Sequence, residues 1–211
     1  HAAGHVWRTA IQIPLDWLLA FLRGVSGTLT RTYTLAAYLG EGDKISVRCD
    51  ASPLGLGAFL VVNEVIEEYA FDAVTAEDER RLGISRHGSS EGQQVFEALA
   101  VLSALRLWKP WWIHRRVNLE IRSDSVSALI MLIKLKASGT GTNIVARELA
   151  LDMCDALYEP NVAAHVPGVA NVIADHLSRM VERPQAPMPR ELNSARMVRF
   201  QRRDASWWRT L

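Results

Sequence analysis

Alternating apolar and polar residues mark two strands that each end in an aspartate. In KISVRCD, residues 44–50, apolar side chains alternate with polar ones up to Asp50. In VNLEIRSD, residues 117–124, the same pattern recurs in the same phase and ends at Asp124. A period of two is the signature of a β-strand. If the strands are parallel neighbours, about 4.8 Å apart, both carboxylates lie at one edge of the sheet. There they repel each other unless a cation lies between them.

The rest of the pattern continues in an α/β order. Residues 57–62 and 65–72 predict an antiparallel hairpin that turns at Asn63–Glu64. The later predicted elements are a helix from Ser90, opened by the capping box Ser90-Glu91-Gly92-Gln93, to about Trp108, helices over Ala128–Lys134 and from Asn143 to about Tyr158, a strand over Val162–Val166, and a helix over Val172–Met180 capped by Asn171. This order predicts a mixed α/β sheet, with an antiparallel hairpin added to parallel strands and with helices around it.

Two stretches before and inside this core are harder to place. Residues 75–89 carry charges of both signs without a clear period, so they are predicted as a polar connection. Near the start, four leucines between Leu15 and Leu22 follow Pro14 at helical spacing, which indicates a short amphipathic helix. Because it precedes the first strand, residues 1–43 are assigned to a preceding module and residues 44–182 to the core domain.

The stretch 183–211 is rich in proline and arginine, with seven arginines against two acids. Any affinity for polyanions could therefore be concentrated there. Trp207 and Trp208 could stack bases or dock on another domain. With no period to indicate a strand or helix, we expect a solvated tail or linker.

Composition narrows the class of protein. Hydrophobic residues make up 49% and charged residues 22% of the chain, and the net charge is +1, which are ordinary values for a globular protein. Cys49 and Cys154 lie inside predicted elements and indicate buried thiols, not a disulfide framework or a zinc site. No apolar run approaches the roughly 18 residues of a membrane span, so an intracellular protein of cytoplasm or nucleus is expected, with no membrane partner. The first residue, His1, suggests a fragment of something longer.

Four acids occupy positions where a charge needs a partner. Asp50 and Asp124 end strands, Glu97 lies within the apolar helix that contains VFEALAVLSAL, and Asp175 lies in the last predicted helix. A buried carboxylate without a partner is unfavourable. Four oxygen donors converging on one sheet edge can hold two Mg²⁺ ions, which keep water ligands and bind substrate phosphate. The set therefore predicts phosphodiester hydrolysis.

The words around these acids resemble the ribonuclease H domain of retroelement reverse transcriptases, in particular of gypsy-type and DIRS-type retrotransposons. They are CDASPLGLGAFL, FEALAVLSAL, IRSDSVSAL and HVPGVANVIADHLSR, and the resemblance covers residues 44–180. It implies a ribonuclease H-like mixed five-stranded sheet flanked by helices. It also implies that Asp50, Glu97, Asp124 and Asp175 hold two Mg²⁺ ions, with Mn²⁺ as a possible substitute.

The resemblance further implies a role for each residue. Asp50 would bridge both ions, Asp175 would complete the ion that activates water, and Glu97 and Asp124 would hold the ion that stabilises the leaving 3′-oxygen. His165 is similar to the mobile histidine of cellular ribonucleases H. The implied reaction is cleavage of the RNA strand of RNA–DNA hybrids during retroelement reverse transcription, next to a polymerase domain in the parent polyprotein. Residues 1–43 look like the end of the connection region between the two.

Alternatives remain open. The chain could be a non-catalytic hybrid-binding or scaffolding module, or a transposase-type or exonuclease member of the same fold, which the HVPGVANVIADHLSR ending disfavours. Any one strand-end Asp is more often a turn or cap residue than a ligand. Glu97 alone could reach solvent, and His165 alone is more often a loop residue than a proton shuttle. His176 is expected to face outward, and Trp108, Trp111 and Trp112 to anchor a core or an interface.

Overall fold

A six-stranded mixed sheet forms the centre of the fold. The computed structural model describes residues 11–12, 15–16, 18–24, 42–113, 117–135, 137, 139–155 and 162–209. Its strands are β1 (Asp43–Ala51), β2 (Gly55–Val62), β3 (Val65–Ala73), β4 (Val117–Ser123), β5 (Val162–His165) and β6 (Arg196–Met197). Its helices are α1 (Ala76–Leu82), α2 (Gln93–Trp108), α3 (Val126–Lys134), α4 (Thr140–Asp155) and α5 (Val172–Ser178). The strand order is β5-β4-β1-β2-β3-β6.

The strand pairing confirms the predicted fold class. β1 and β2 pair antiparallel, as do β2 and β3, and the turn between the latter two has positive φ at Asn63 (48°) and Glu64 (72°). β1 pairs parallel with β4, and β4 with β5. The five predicted strands are all present, and β6 adds a sixth by pairing with β3. In the β1–β4 register Arg48 lies opposite Arg122, so Asp50 and Asp124 leave the sheet at the same edge.

The main core lies between one face of the sheet and α2. The odd-numbered residues of β1, Ile45, Val47 and Cys49, are buried there, as alternation requires. α2 is buried on nearly all sides, as its continuous apolar sequence predicts. At its end Trp108 is fully buried, and its Nε1 donates a hydrogen bond of 2.9 Å to Glu68 Oε2. The prediction of a core tryptophan at this position is confirmed.

The opposite face of the sheet is covered in part by α5. Two glycines of β2 permit the close approach: a Cβ on Gly57 would lie 2.3 Å from Ser178 N, and one on Gly55 would lie 2.3 Å from Ser178 O. Phe59 of β2 then packs in a second apolar cluster with Leu177 of α5. The glycines therefore set the position of α5 against the strand that runs beside Asp50.

Three local predictions are wrong. Residues 76–82, predicted as connection, form α1, which Thr75 caps by accepting from Asp78 N. The Ser90 capping box does not form: Ser89 caps a 3₁₀ turn over Ser90–Gly92, and Gln93 uses its side chain elsewhere. Asn171 precedes α5 but does not cap it with its side chain, because its Nδ2 donates to Cys49 O at 3.3 Å. In the first two cases a neighbouring residue, Thr75 or Ser89, supplies the cap, and only at Asn171 does a tertiary contact replace the local one.

The described part of the C-terminal segment, residues 183–209, packs on the domain. Trp207 and Trp208 are 9% and 3% exposed, and β6 extends the sheet. Arg203, with a side chain only 1% exposed, pairs with Asp78 of α1. The expectation of a solvated tail is therefore wrong for these residues, whereas the proposed domain boundaries remain predictions.

The leucines of the first helical stretch are exposed where they are described. Leu15, Leu18, Leu19 and Leu22 range from 42% to 79% exposed, and the chain leaves this stretch through Gly24 at φ 67°. Most of residues 1–43 lies outside the described residues. None of the helices in the described part of the chain is both long enough and apolar enough to cross a bilayer.

Candidate metal centre

Three carboxylates meet at the edge of the sheet. Asp50 comes from the end of β1, Glu97 from the middle of α2, and Asp124 from the residue after β4. One oxygen of each lies within 4.8 Å of the others. Asp50 and Glu97 are buried, at 4% and 7% exposed, and Asp124 is half-buried. We call these three residues the carboxylate cluster.

The elements around the cluster explain its geometry. The parallel register of β1 and β4 places Asp50 and Asp124 at neighbouring strand ends, and α2 packs across β1 so that Glu97 reaches them. Directly after Asp124 the chain turns away, because the Ser125 side chain accepts a hydrogen bond from Ala128 N and caps α3. The loop after β5 closes on the same point: a Cβ on Gly168 would lie 3.2 Å from Asp124 Oδ2.

Two polar side chains donate hydrogen bonds to acids of the cluster and orient them. Gln93 donates through Nε2 to Glu97 Oε1 at 2.8 Å and to Ala51 O at 2.5 Å, which ties α2 to the end of β1. Ser178 of α5 donates through Oγ to Asp50 Oδ2 at 2.7 Å. The second oxygen of Glu97, Oε2, is buried and has no hydrogen-bond partner among the described residues. A buried carboxylate oxygen needs a hydrogen-bond donor or a cation, so Oε2 marks where the cluster would accept one.

Burial and mutual repulsion change the protonation of the cluster. Burial, followed by repulsion from Asp50, raises the pKa of Glu97 to about 9. Burial also raises the pKa of Asp50 to about 7, against the Ser178 hydrogen bond that lowers it, with Asp124 and Asp175 adding repulsion. A divalent cation would offset this repulsion by binding all three acids in their charged forms. The donor set, three carboxylates with one unpartnered oxygen, fits a hard cation such as Mg²⁺.

Asp175 lies apart from the cluster. It belongs to α5, its side chain is 47% exposed, and its Oδ1 accepts from Arg179 Nε at 2.7 Å. It is nevertheless near enough to repel the charge on Asp50. The structure thus brings together three of the four acids predicted from the sequence and places the fourth at the rim, in an ion pair.

His165 of the predicted site and His176, next to Asp175, occupy different environments. His165 is exposed at the end of β5, in register with Ser123 and therefore one residue from Asp124 along the edge. His176, expected to face outward, is half-buried, and its Nε2 is buried without a hydrogen-bond partner among the described residues. His165 can therefore approach a ligand at the edge from the solvent side.

Sequence reasoning missed the two polar groups that orient the cluster. Gln93 was assigned to a capping box, and nothing local distinguishes that role from its contact with Glu97. Ser178 and its neighbour Arg179 belong to the quoted word that contains ADHLSR, so a signal for them was present. Their contacts to Asp50 and Asp175 depend on how α5 packs against β1 and β2, which the sequence pattern does not specify.

Comparisons with known proteins find neighbours among solved structures alone. No protein-family model matches the chain, and no curated protein matches it. One similar structure is RNase H1 from the halophilic archaeon Halobacterium salinarum, at 17% identity and TM-score 0.49, covering 67% of this chain and 98% of that one. Another is the N-terminal RNase H domain of Rv2228c from Mycobacterium tuberculosis, solved as a maltose-binding protein fusion, at 13% identity and TM-score 0.48, covering 68% and 99%. The matched part of this chain therefore corresponds to nearly the whole of each neighbour.

Proposed function

We propose that this chain is a metal-dependent nuclease that hydrolyses the RNA strand of RNA–DNA hybrids. The observation that carries the proposal is the carboxylate cluster at the edge of a mixed sheet, where one oxygen of each acid lies within 4.8 Å of the others. Three ionised acids this close repel each other, and a bound cation would offset that repulsion. Their placement on β1, α2 and the end of β4 matches the order of acids implied by the sequence resemblance.

We propose for each acid the role that the sequence resemblance implies. Asp50, between Glu97 and the rim, would bridge two ions, and Glu97 and Asp124 would complete one of them. Asp175 would join the second after its ion pair with Arg179 opens. The ions, when bound, would lower the pKa of the attacking water and stabilise the leaving oxygen. Gln93 and Ser178 would keep Glu97 and Asp50 in position throughout.

His165 would act from the solvent side of the same edge. Its ring is exposed and its position, one residue along the edge from Asp124, allows it to reach a phosphate bound there. An imidazole ring can accept and donate a proton, so His165 can transfer a proton to or from a group at the phosphate. We propose that it assists proton transfer or product release without holding an ion.

The wider setting rests on the sequence resemblance. We propose that the domain works in retroelement reverse transcription, inside the cell, joined to a polymerase domain in the parent polyprotein. The exposed leucines between Leu15 and Leu22 are compatible with a contact to such a domain.

A second candidate function has one observation in its favour. Asp175 is engaged by Arg179 and lies outside the cluster, so a chain in which this pair never opened would bind only part of the metal set. Such a chain would be a hybrid-binding or scaffolding module without activity.

The deciding experiment is a cleavage assay with end-labelled RNA–DNA hybrid, duplex RNA and duplex DNA of one sequence, titrated with Mg²⁺. We expect hybrid cleavage in the RNA strand alone, with 5′-phosphate and 3′-hydroxyl products, no activity in EDTA, and recovery with Mn²⁺. Tight hybrid binding without cleavage at any metal concentration would instead favour the scaffolding module. Neither binding nor cleavage would contradict both.

A further inference from the structure

A cleft of about 540 Å³ opens on the outer face of the sheet, on the side of α5 but outside the carboxylate cluster. Its floor is made by the even-numbered residues of β1 and β4, which alternation turns away from the main core. We call it the outer groove. Its main polar residues are Lys44, Ser46, Arg48, Asn118, Glu120 and Arg122. α5 covers the rest of this face, where Phe59 and Val61 of β2 pack with Leu177.

Two donors at the floor of the outer groove lack acceptors. Arg48 Nε and Ser46 Oγ are buried and have no hydrogen-bond partner among the described residues. Buried polar groups are almost always hydrogen-bonded, and a charged donor left without an acceptor is costly. Both residues line the cleft, so these unpartnered groups lie just beneath the surface that an acceptor in the cleft would contact.

The charge of the groove indicates what kind of acceptor fits. Arg48 and Arg122 are paired positions of neighbouring parallel strands, and burial followed by repulsion from Arg122 lowers the pKa of Arg48, so two positive charges share this part of the sheet. Glu120 accepts from Arg122 Nε at 2.7 Å and balances that arginine, whereas no carboxylate in the described chain forms an ion pair with Arg48. The Arg48 guanidinium lies instead 5.6 Å from the centre of the Phe59 ring. Lys44 adds a further positive charge at the mouth, opposed by Glu64.

The geometry points to a phosphate-binding site in the outer groove, with Arg48 as its main ligand and Ser46 as a second donor. Arginine presents several N–H donors in a planar fork that suits phosphate oxygens. A cleft of this size also accommodates a phosphate with an attached sugar. Two sources offer this group: the backbone of a bound nucleic acid, which rests on the function proposed above, and a free nucleotide or inorganic phosphate.

A backbone phosphate is the source that the position favours. Arg48 and Arg122 precede Asp50 and Asp124 by two residues on the same strands, which is roughly 7 Å along the sheet. A strand held at the cluster therefore passes close to the outer groove. Because this phosphate would be remote from the bond that is cut, the contact would add affinity without discriminating sequence.

The test follows the Arg48 Nε–H signal by NMR in the full chain, titrated first with inorganic phosphate and then with a short RNA–DNA hybrid in EDTA. We expect a saturable shift with phosphate that chloride at equal ionic strength does not cause. In parallel, hybrid affinity is measured against salt for wild type, Arg48→Gln, Ser46→Ala and Arg190→Gln, the last an exposed arginine of the C-terminal segment.

We expect Arg48→Gln to weaken hybrid binding about tenfold, the lower end for a charge-assisted hydrogen bond, and to flatten the salt slope by roughly 0.9. Ser46→Ala, which removes one hydroxyl, should weaken it less, and Arg190→Gln should match wild type. A phosphate shift with unchanged hybrid affinity in Arg48→Gln would support a free phosphate as the ligand. No response of Arg48 to phosphate or hybrid would overturn the site, and wild-type affinity in both groove variants would exclude the backbone contact.

The proposed nuclease activity is read separately in the same preparations. Absence of Mg²⁺-dependent cleavage by wild type would contradict the proposed function. The phosphate titration would then still show whether the outer groove binds phosphate. Circular dichroism checks that each variant is folded. If Arg48→Gln does not fold, the wild-type titration and Ser46→Ala still decide the outcome.

Discussion

The carboxylate cluster and the C-terminal segment both bury charge, but only the second balances it. In the C-terminal segment, Arg203 and Asp78 have side chains 1% or less exposed and pair at 3.0 Å, and Arg203 also reaches Asp72. At the cluster, Asp50 and Glu97 are buried without such a partner among the described residues, and their pKa values rise to about 7 and about 9. A buried acid paired with a guanidinium is costly to break, because removing the arginine leaves an uncompensated charge, whereas buried acids that face each other indicate a cation site.

A second group of buried charges, around Arg106, is also balanced by ion pairs, unlike the carboxylate cluster. Arg106 of α2 donates to Glu148 at 2.7 Å and to Asp152 at 2.5 Å on α4, while its guanidinium lies 4.1 Å from the centre of the Trp207 ring. Glu148 also accepts from the backbone N–H of Arg209 at 2.9 Å. Acids on α4 are thus covered by arginines from a helix and from the end of the chain. Arg106 and Arg203 thus join different elements of the fold through buried ion pairs. Among the described residues, no arginine forms such a pair with an acid of the carboxylate cluster.

The largest expected effect is on catalysis. Asp50→Asn should lower hybrid cleavage by more than about 10⁴-fold, beyond the range of a single acid–base group, because asparagine keeps the shape but not the charge that holds the ions. Hybrid binding should stay near wild type, since phosphate contacts elsewhere carry much of the affinity. Single-turnover cleavage and fluorescence anisotropy measure the two. Asp175→Asn should behave alike, and wild-type cleavage by purified Asp50→Asn would contradict the two-metal assignment.

The second largest effect is expected on the free energy of unfolding, at the buried ion pair of Arg203 and Asp78. Arg203→Met should lower the free energy of unfolding by about 3–5 kcal/mol, because it leaves the fully buried Asp78 without its partner. Urea unfolding measures the change. The matched control is Arg202→Met, one residue earlier and exposed, which should lie within about 0.5 kcal/mol of wild type. Equal values for the two variants would mean that the C-terminal segment does not stabilise the fold.

The third prediction concerns pH. Asp50 and Glu97 have folded-state pKa values of about 7 and about 9, above their ordinary values, so the folded protein binds more protons than the unfolded chain. Without metal, the contribution of these groups to stability should therefore be fully present below pH ~4 and should be lost as the pH rises from there through 7 for Asp50 and through 9 for Glu97. At about 1.4 kcal/mol per pKa unit, the expected loss is on the order of 5–10 kcal/mol.

The comparison that isolates this effect is wild type against Glu97→Gln, by urea unfolding in EDTA between pH 5 and pH 9. Glutamine resembles the protonated acid, so the variant should gain stability relative to wild type as the pH rises. Glu191→Gln, an exposed acid, should run parallel to wild type. Saturating Mg²⁺ should reverse the trend for wild type. A pH-independent difference between wild type and Glu97→Gln would show that the cluster is not strained by charge.

The smallest expected effect is that of His165→Ala, about 10²-fold on cleavage, because a proton-transfer group assists but does not hold an ion. The apparent Mg²⁺ affinity should not change. His87→Ala, another exposed histidine whose partner is Glu79, should be without effect on cleavage. Wild-type activity in His165→Ala would make His165 an ordinary loop residue.

Much of the fold could be predicted because its strands are encoded locally. Alternation in residues 44–50 and 117–124 gave both their conformation and the phase that sends Asp50 and Asp124 to one edge, and the observed parallel register agrees. α1 has no apolar period, and its local signals are limited to its ends, the Thr75–Asp78 capping box and Gly83. Its seven residues are mostly charged, and the pairing of Asp78 with Arg203 links it to a residue 125 positions later. Long-range pairing leaves no period in the sequence.

The sequence by itself determined the strand phases, the buried α2 and the acids placed on them, because side-chain alternation and helical spacing are properties of neighbouring residues. The tertiary structure decided which acids meet. α5 packs on Gly57 so that Ser178 reaches Asp50, while Arg179 holds Asp175 at the rim. It also decided that the arginine-rich end covers the domain. These outcomes depend on distances between residues far apart in the chain, and burial makes each pairing or mismatch of charge energetically decisive.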